Sequence, residues 1–230
     1  MTTHILITGA SRGIGAAIAE ALTTGATKVV ALSSADGDLT DPATPDRLWQ
    51  ASLDRLDGRI DVLVNNAGIF EDSPLGDPDA DWLASWNRTM QVNLTASAQL
   101  CRRAVLHWQA RQSAGRIVNI ASRAAYRGDS PAHWHYAASK SGMVAMTKTI
   151  ARGYAKDGIL AFAICPGFTM TGMAEEYLAG RGGEQLLAEI PLGRVAMPDE
   201  VGEMARWCAL DAPAAMTGAV LDVNGASYVR

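Results

Sequence analysis

A chain of 230 residues with 48% hydrophobic and 19% charged residues has the composition of a soluble globular protein and fits one domain with a sizeable core. A net charge of −4 gives nucleic acid or an anionic membrane no electrostatic reason to bind; no apolar run reaches the roughly eighteen residues of a spanning helix, and Met1 leads straight into strand-like sequence with no room for a signal peptide. Cys101, Cys165 and Cys208 are odd in number, far apart and without metal-ligand spacing, so they read as buried reduced thiols of a cytoplasmic protein, with no metal expected.

His4 to Thr8 is a short apolar run, hence a buried strand. It meets Gly9-Ala10-Ser11-Arg12-Gly13-Ile14-Gly15, which opens an amphipathic helix through Leu22. Strand, glycine turn and helix begin a dinucleotide-binding unit. Glycines are required because the backbone turns sharply and then approaches a pyrophosphate, which the free N–H groups and positive dipole end of the helix attract. The spacing is Gly-x-x-x-Gly-x-Gly, not the better-known Gly-x-Gly-x-x-Gly. Lys28 to Leu32 is the second strand. The acid that holds the adenosine ribose in NAD enzymes belongs just after it, and Ser33 stands there instead. A serine tolerates a 2′-phosphate and Arg12 offers it positive charge, which favours NADP(H). The alternatives are a merely solvated Arg12, and NAD(H) held through nearby Asp36.

Pro42 to Leu56 predicts a helix, with Leu48, Trp49, Leu53 and Leu56 at helical spacing and Asp41 as its cap. Ile60 to Val64 is a strand running into Asn65-Asn66-Ala67-Gly68. Residues 69–81 form a polar loop at its carboxyl end, where open α/β sheets bind ligands. Trp82 to Ala110 carries one long helical pattern, and Arg116 to Ser122 is a further strand. His133 and His135 lack partners for a metal and read as loop or substrate-pocket residues. Ala137 to Tyr154 predicts a helix, and Tyr136 and Lys140, four residues apart, share one of its faces. Taken alone the pair is an ordinary surface contact. Taken as chemistry, an ammonium one turn away favours the phenolate, lowers the tyrosine pKa and makes the phenol a usable acid or base. Leu160 to Cys165 is a buried strand leading into Pro166-Gly167-Phe168-Thr169-Met170-Thr171; Pro198 to Leu210 is a helix, and Ala219 to Val223 a last strand. Strands alternating with helices, with no repeat or linker, predict a single-domain α/β fold over 1–230: a Rossmann-type, doubly wound, mostly parallel sheet with helices on both faces.

Thr8 to Gly15, Asn65 to Gly68, Tyr136 and Lys140 together resemble the short-chain dehydrogenase/reductase family, in particular its 3-oxoacyl-ACP reductase-like and carbonyl reductase members; the similarity covers essentially the whole chain. The resemblance implies a catalytic set of Asn93, Ser122, Tyr136 and Lys140. Tyr136 is then the general acid in reduction, Ser122 bonds the same carbonyl oxygen, Lys140 also bonds the nicotinamide ribose, and Asn93 positions a water leading from Lys140 to solvent. It implies cofactor contacts at Gly9, Ser11, Arg12, Gly13, Ile14, Gly15, Ser33, Asn65, Ala67 and Gly68, and at Tyr136, Lys140, Pro166, Gly167, Thr169 and Thr171. Asp38 and Leu39 correspond to the pair that holds the adenine. Two departures stand out. The family's helix between its second and third strands is missing, since only Ala35-Asp36-Gly37 separates Ser34 from Asp38, which leaves the adenine side more open. The gap from Ser122 to Tyr136 is one residue longer than the family's.

The activity implied is NADP(H)-dependent interconversion of a carbonyl (ketone, aldehyde or 3-oxoacyl group) and an alcohol. A substrate lid is expected around residues 171–190. The helices over 94–111 and 137–154, apolar over more than one stripe, imply a homodimer or homotetramer. The alternatives are an NAD-dependent alcohol dehydrogenase of the same family and a non-catalytic dinucleotide-binding sensor or scaffold.

Overall fold

The computed structural model describes residues 2–172 and 183–230. Half of the expected lid, residues 173–182, lies outside these residues. Six parallel strands form one sheet: β1 (Thr3–Ile7), β2 (Thr27–Ala31), β3 (Val62–Asn65), β4 (Gly115–Ile120), β5 (Ile159–Pro166) and β6 (Val220–Val223). Their order is β2-β1-β3-β4-β5-β6. The chain starts in the middle, steps outward to β2, and returns to β3 on the other side of β1. The order therefore reverses between β1 and β3, and a crevice opens at their carboxyl ends.

Side-chain alternation along the strands feeds two apolar layers. Ile5, Ile7, Val62, Val64, Val118 and Phe162 point to one face and pack on α1 (Gly13–Leu22) and the Pro198–Leu210 helix. Leu6, Leu63, Ile117 and Ala161 point to the other, under α2 (Thr44–Arg55), α4 (Ala96–Arg111) and α6 (Trp134–Tyr154). The second layer holds Trp108, 1% exposed, whose indole N–H donates to the Ile60 carbonyl at 2.7 Å. A fully buried ring of this size contributes about 3–5 kcal/mol.

Three helical expectations change in detail. Pattern 82–110 is one continuous rod of three pieces: α3 (Asp79–Met90), a π-helical turn over Gln91–Thr95, and α4. The π turn carries Asn93. The start of α2 is not capped by Asp41. Ala43 is its N-cap residue, and the Asp41 carboxylate instead accepts the Ala43 N–H at 2.9 Å and pairs with Arg47 at 2.8 Å. The reason is Pro45 inside the first turn, which moves the helix start two residues on. The helix α6 begins at Trp134, three residues before its expected start. Among the described residues two short helices follow, α5 (Ala124–Arg127) and α7 (Gly183–Ala188), and Pro198–Leu210 is α8. At the start of α8, Glu200 reaches back to the Met197 N–H at 2.7 Å and takes both arms of Arg194, which together hold its carboxyl down at about 2.

Between β2 and α2 the chain runs through turns with neither helix nor strand. The shortened connection borders an open groove of about 690 Å³, lined by Asp38, Thr40 and Pro42 on one side and Asn87, Arg88 and Gln91 on the other. Among the described residues no helix is long and apolar enough to cross a membrane.

Candidate active site

The glycine turn closes over the β1–β3 crevice. Gly9 and Gly13 both have positive φ, +68° and +54°, where a side chain is strained. A Cβ at Gly15 would stand 2.0 Å from the Gly9 carbonyl oxygen, so that backbone approach excludes any larger residue. The second asparagine of Asn65-Asn66-Ala67-Gly68 ties the turn down: Asn66 Nδ2 donates to the Gly9 carbonyl at 2.8 Å, and the Thr8 hydroxyl accepts the N–H groups of Asn66 and Ala67 at 3.2 Å. Asn66 and Thr8 lay within the quoted motifs, but their part in bracing the turn needed the packing of β1 on β3. Asn65 behaves differently. Its side chain is buried and donates to Asn119 at 2.8 Å in the core, so only its backbone is left for a cofactor.

These residues fit a dinucleotide. Arg12 is the N-cap of α1 and makes no capping hydrogen bond, and the first turn carries no acid. The helix therefore presents uncapped N–H groups to an anion. Ser11 and Arg12 are exposed at its mouth. Ile14 packs inward on the core. Across the crevice, Thr171 comes close enough that a Cβ at Gly13 would lie 3.0 Å from its methyl. Pro166 accepts the Arg123 N–H, Gly167 donates to Val223, and the buried Thr169 hydroxyl bonds the Gly167 carbonyl at 3.1 Å, so this segment is rigid.

The ribose end brings the nearby Asp36 onto the Ser33 position. The Asp36 carboxylate accepts the Ser33 N–H at 2.8 Å and lies 3.2 Å from its hydroxyl, with Arg55 3.8 Å away on its other side. The missing acid thus returns from the next turn, partly offset by a cation. The Asp38 carboxylate is spent on Thr40, accepting its N–H and hydroxyl at 2.9 and 2.7 Å. Leu39 packs on the core and its carbonyl accepts from Gln91.

The helix α6 crosses the carboxyl ends of β4 and β5. Its buried face includes His135, Ser139, Lys140, Met143, Val144 and Thr147, a helical repeat that turns Lys140 inward. The Lys140 ammonium donates to the Ile120 carbonyl at 2.9 Å and lies 5.8 Å from the centre of the Tyr136 ring. The Ser122 hydroxyl acts on the Tyr136 phenol and favours its ionised form, and the Ser122 oxygen accepts the Ala124 N–H at 3.1 Å. Asn93 Oδ1 accepts the Ile69 N–H at 2.8 Å while its Nδ2 donates to the Ile69 carbonyl at 2.9 Å. A Cβ on Gly68 would stand 3.3 Å from Asn93 and 3.5 Å from Lys140 Nζ, so the loop after β3 runs past both. The four residues are therefore brought together from the π turn, the end of β4 and α6.

The electrostatics correct one expectation. Tyr136 is not depressed: burial pushes its phenol up to about 12, against the hydrogen bond from Ser122. Burial likewise brings Lys140 down to about 8. The physical cause is depth. Both groups are buried away from water, which disfavours the charged form of each, and the ammonium is turned to a carbonyl instead of the phenol oxygen. Cys165 lies nearby, with its thiol raised to about 11 by burial and therefore inert. Both histidines are buried: His135 Nδ1 accepts the Tyr136 N–H at 2.9 Å, and His133 contacts Asp72 and Ser130. Among the described residues no cluster of ligands forms a metal site.

A doubly wound sheet, a glycine turn at its switch point and a buried Tyr–Lys helix define a nucleotide-dependent oxidoreductase. A family profile described as "Enoyl-(Acyl carrier protein) reductase" matches residues 9–226. A 3-oxoacyl-[acyl-carrier-protein] reductase of Synechocystis sp. is 38% identical, over 96% of this chain and 94% of that one. An acetoacetyl-CoA reductase of Shinella zoogloeoides is 33% identical over 99% of each. A crystal structure of an Agrobacterium tumefaciens protein, provisionally named a 2-deoxy-d-gluconate 3-dehydrogenase and holding NADP, superposes with a TM-score of 0.86 at 28% identity, covering 99% of this chain and 97% of that one. The chain belongs to the short-chain dehydrogenase/reductase family and is an NAD(P)-dependent oxidoreductase.

Proposed function

We propose that this single-domain, cytoplasmic enzyme reduces a ketone, aldehyde or 3-oxoacyl group with NADPH, and runs the reverse reaction with NADP. The convergence of Tyr136, Ser122 and Lys140 at the carboxyl ends of the central strands carries this reading. The cofactor is supported by the bound NADP of the Agrobacterium structure, by Ser33 and by the exposed Arg12. NADP(H), when bound, supplies or takes the hydride. The Tyr136 phenol, protonated at neutral pH, gives its proton to the carbonyl oxygen. The Ser122 hydroxyl donates to the same oxygen and stabilises its developing charge. Lys140 has donors left over beyond Ile120, which suit ribose hydroxyls. Asn93, with both ends of its amide engaged on Ile69, positions the loop that runs past Lys140. The test is NADPH oxidation, followed by absorbance, against a panel of carbonyl compounds. NADPH binding with no oxidation of any of them would leave a dinucleotide-binding protein without turnover.

Ser33→Asp places a second carboxylate beside Asp36, facing the 2′-phosphate. It is expected to weaken NADPH by ten- to a hundredfold, about 1–3 kcal/mol for a partly buried like-charge contact. Competitive titration measures this, and a wild-type preference for NADH would overturn the assignment.

A homodimer or homotetramer is proposed through α4 and α6. The outward side of α6 carries the small exposed residues Ser141, Ala145 and Thr149, and α4 exposes Leu106. Such a face allows close approach of a second copy about a two-fold axis. A monomer in light scattering at micromolar concentration would refute it.

A further inference from the structure

The loop after β3 is pinned to the segment before α6 by contacts that the proposed chemistry does not use. The Ser73 N–H donates to the Ala132 carbonyl at 2.9 Å. His133 Nδ1 lies 2.7 Å from the Ser130 hydroxyl, and its Nε2 lies 3.2 Å from the Asp72 carboxylate, close enough for an ion pair though out of line for a hydrogen bond. Bonded to Ser130 through Nδ1 and only 6% exposed, the imidazole is a confined plate. Phe70 lies flat on it, centroids 3.8 Å apart and planes 4° from parallel. Phe70 and the Tyr136 ring meet at right angles, centroids 4.8 Å apart and planes at 85°. Phe70 is nevertheless 42% exposed. With one face on His133 and the Tyr136 ring perpendicular to it, Phe70 keeps this exposed area next to the tyrosine that acts on the carbonyl.

We propose that Phe70, held by its stack on His133, is a specificity-determining residue whose exposed ring packs against a planar apolar substituent carried on the carbonyl carbon of the substrate. The enzyme accordingly favours aryl carbonyls over linear alkyl ones of equal size. This rests on the reading of Tyr136 under Proposed function. A flat substituent packs on the Phe70 ring in the offset or perpendicular geometry that aromatic rings prefer, whereas a linear chain must give up rotamer freedom to cover the same area. His133 acts at one remove, as the positioning residue that spares Phe70 the entropy of being ordered on binding.

The experiment compares ketones differing in one substituent, phenyl against n-pentyl, with the holoenzyme in steady state. The expected kcat/KM ratio is tenfold or more in favour of phenyl, residing in KM. In Phe70→Ala the ratio falls to about one. His133→Ala lowers it in part, and His133→Phe, which still stacks, restores it. A merely structural Phe70 would instead lower kcat for both substrates alike. A phenyl-to-pentyl ratio near one in the wild type, or a preference that survives Phe70→Ala, overturns the proposal. Calorimetric titration of the phenyl ketone into NADP-loaded Tyr136→Phe, with and without Phe70→Ala, separates the two readings. Binding lost with Phe70 but no turnover in the wild type defeats the proposed function and keeps this one; turnover without aryl preference does the reverse.

Discussion

Tyr136→Phe is expected to lower kcat for carbonyl reduction by about 10²- to 10⁴-fold, the range that a positioned general acid contributes. The substitution removes one oxygen and leaves the ring, its perpendicular contact with Phe70 and the helix around it in place. NADPH binding should fall far less than turnover. Burial keeps the phenol up at about 12, so in the wild type it holds its proton through the whole neutral range and is ready to donate. Ser122→Ala should cost less alone, and the double variant should cost little more than Tyr136→Phe, because both groups serve one oxygen. A Tyr136→Phe rate within tenfold of wild type would show that the proton comes from elsewhere.

The second large effect is the pH dependence set by Lys140. With its pKa lowered to about 8 in the free enzyme, the ammonium is lost above that pH. Since kcat/KM reports groups of the free enzyme, its value for reduction should be level below about 8 and decline above it. Oxidation needs the phenolate, so its kcat/KM rises with pH, and loss of the ammonium flattens that rise above about 8. Lys140→Arg keeps a charge at every accessible pH and should remove the break near 8 while losing activity, because the guanidinium is larger than the ammonium it replaces. Lys140→Met should cut both directions by about a hundredfold, the low end of what a lost acid–base partner costs. A second readout is stability. The folded pKa lies below the ordinary lysine value of 10.5, so the burial penalty is fully present below about 8 and is relieved as pH rises from there to 10.5. Lys140→Met should abolish that rise. An unchanged break in Lys140→Arg would assign it to another group.

Much of the site was legible because its signals are local. A strand, a glycine turn and a helix start within fifteen residues define the phosphate end, since backbone geometry alone demands glycine there. Tyr136 and Lys140 share a face because four residues make about one helical turn. The order of strands and helices, and hence the doubly wound sheet, follows from alternation that any window of the chain displays.

What spacing could not supply depends on contacts between distant segments. Ser33 read as an acid-free position with Asp36 close by in sequence, but only the folded turn shows that the Asp36 carboxylate bonds the Ser33 N–H. The stack of Phe70 on His133 joins two loops 63 positions apart and has no sequence signature. Asn93 was found by its motif, but the π turn that aims it at Ile69 arises only where α3 and α4 run on as one rod. The tyrosine shows the division best. The sequence by itself determined which phenol faces which ammonium, because that is helix geometry. The direction of the phenol's pKa was decided by tertiary structure alone. A charge one turn away competes with the loss of water, and the depth to which β4, β5 and α6 bury the pair is a sum over the whole fold.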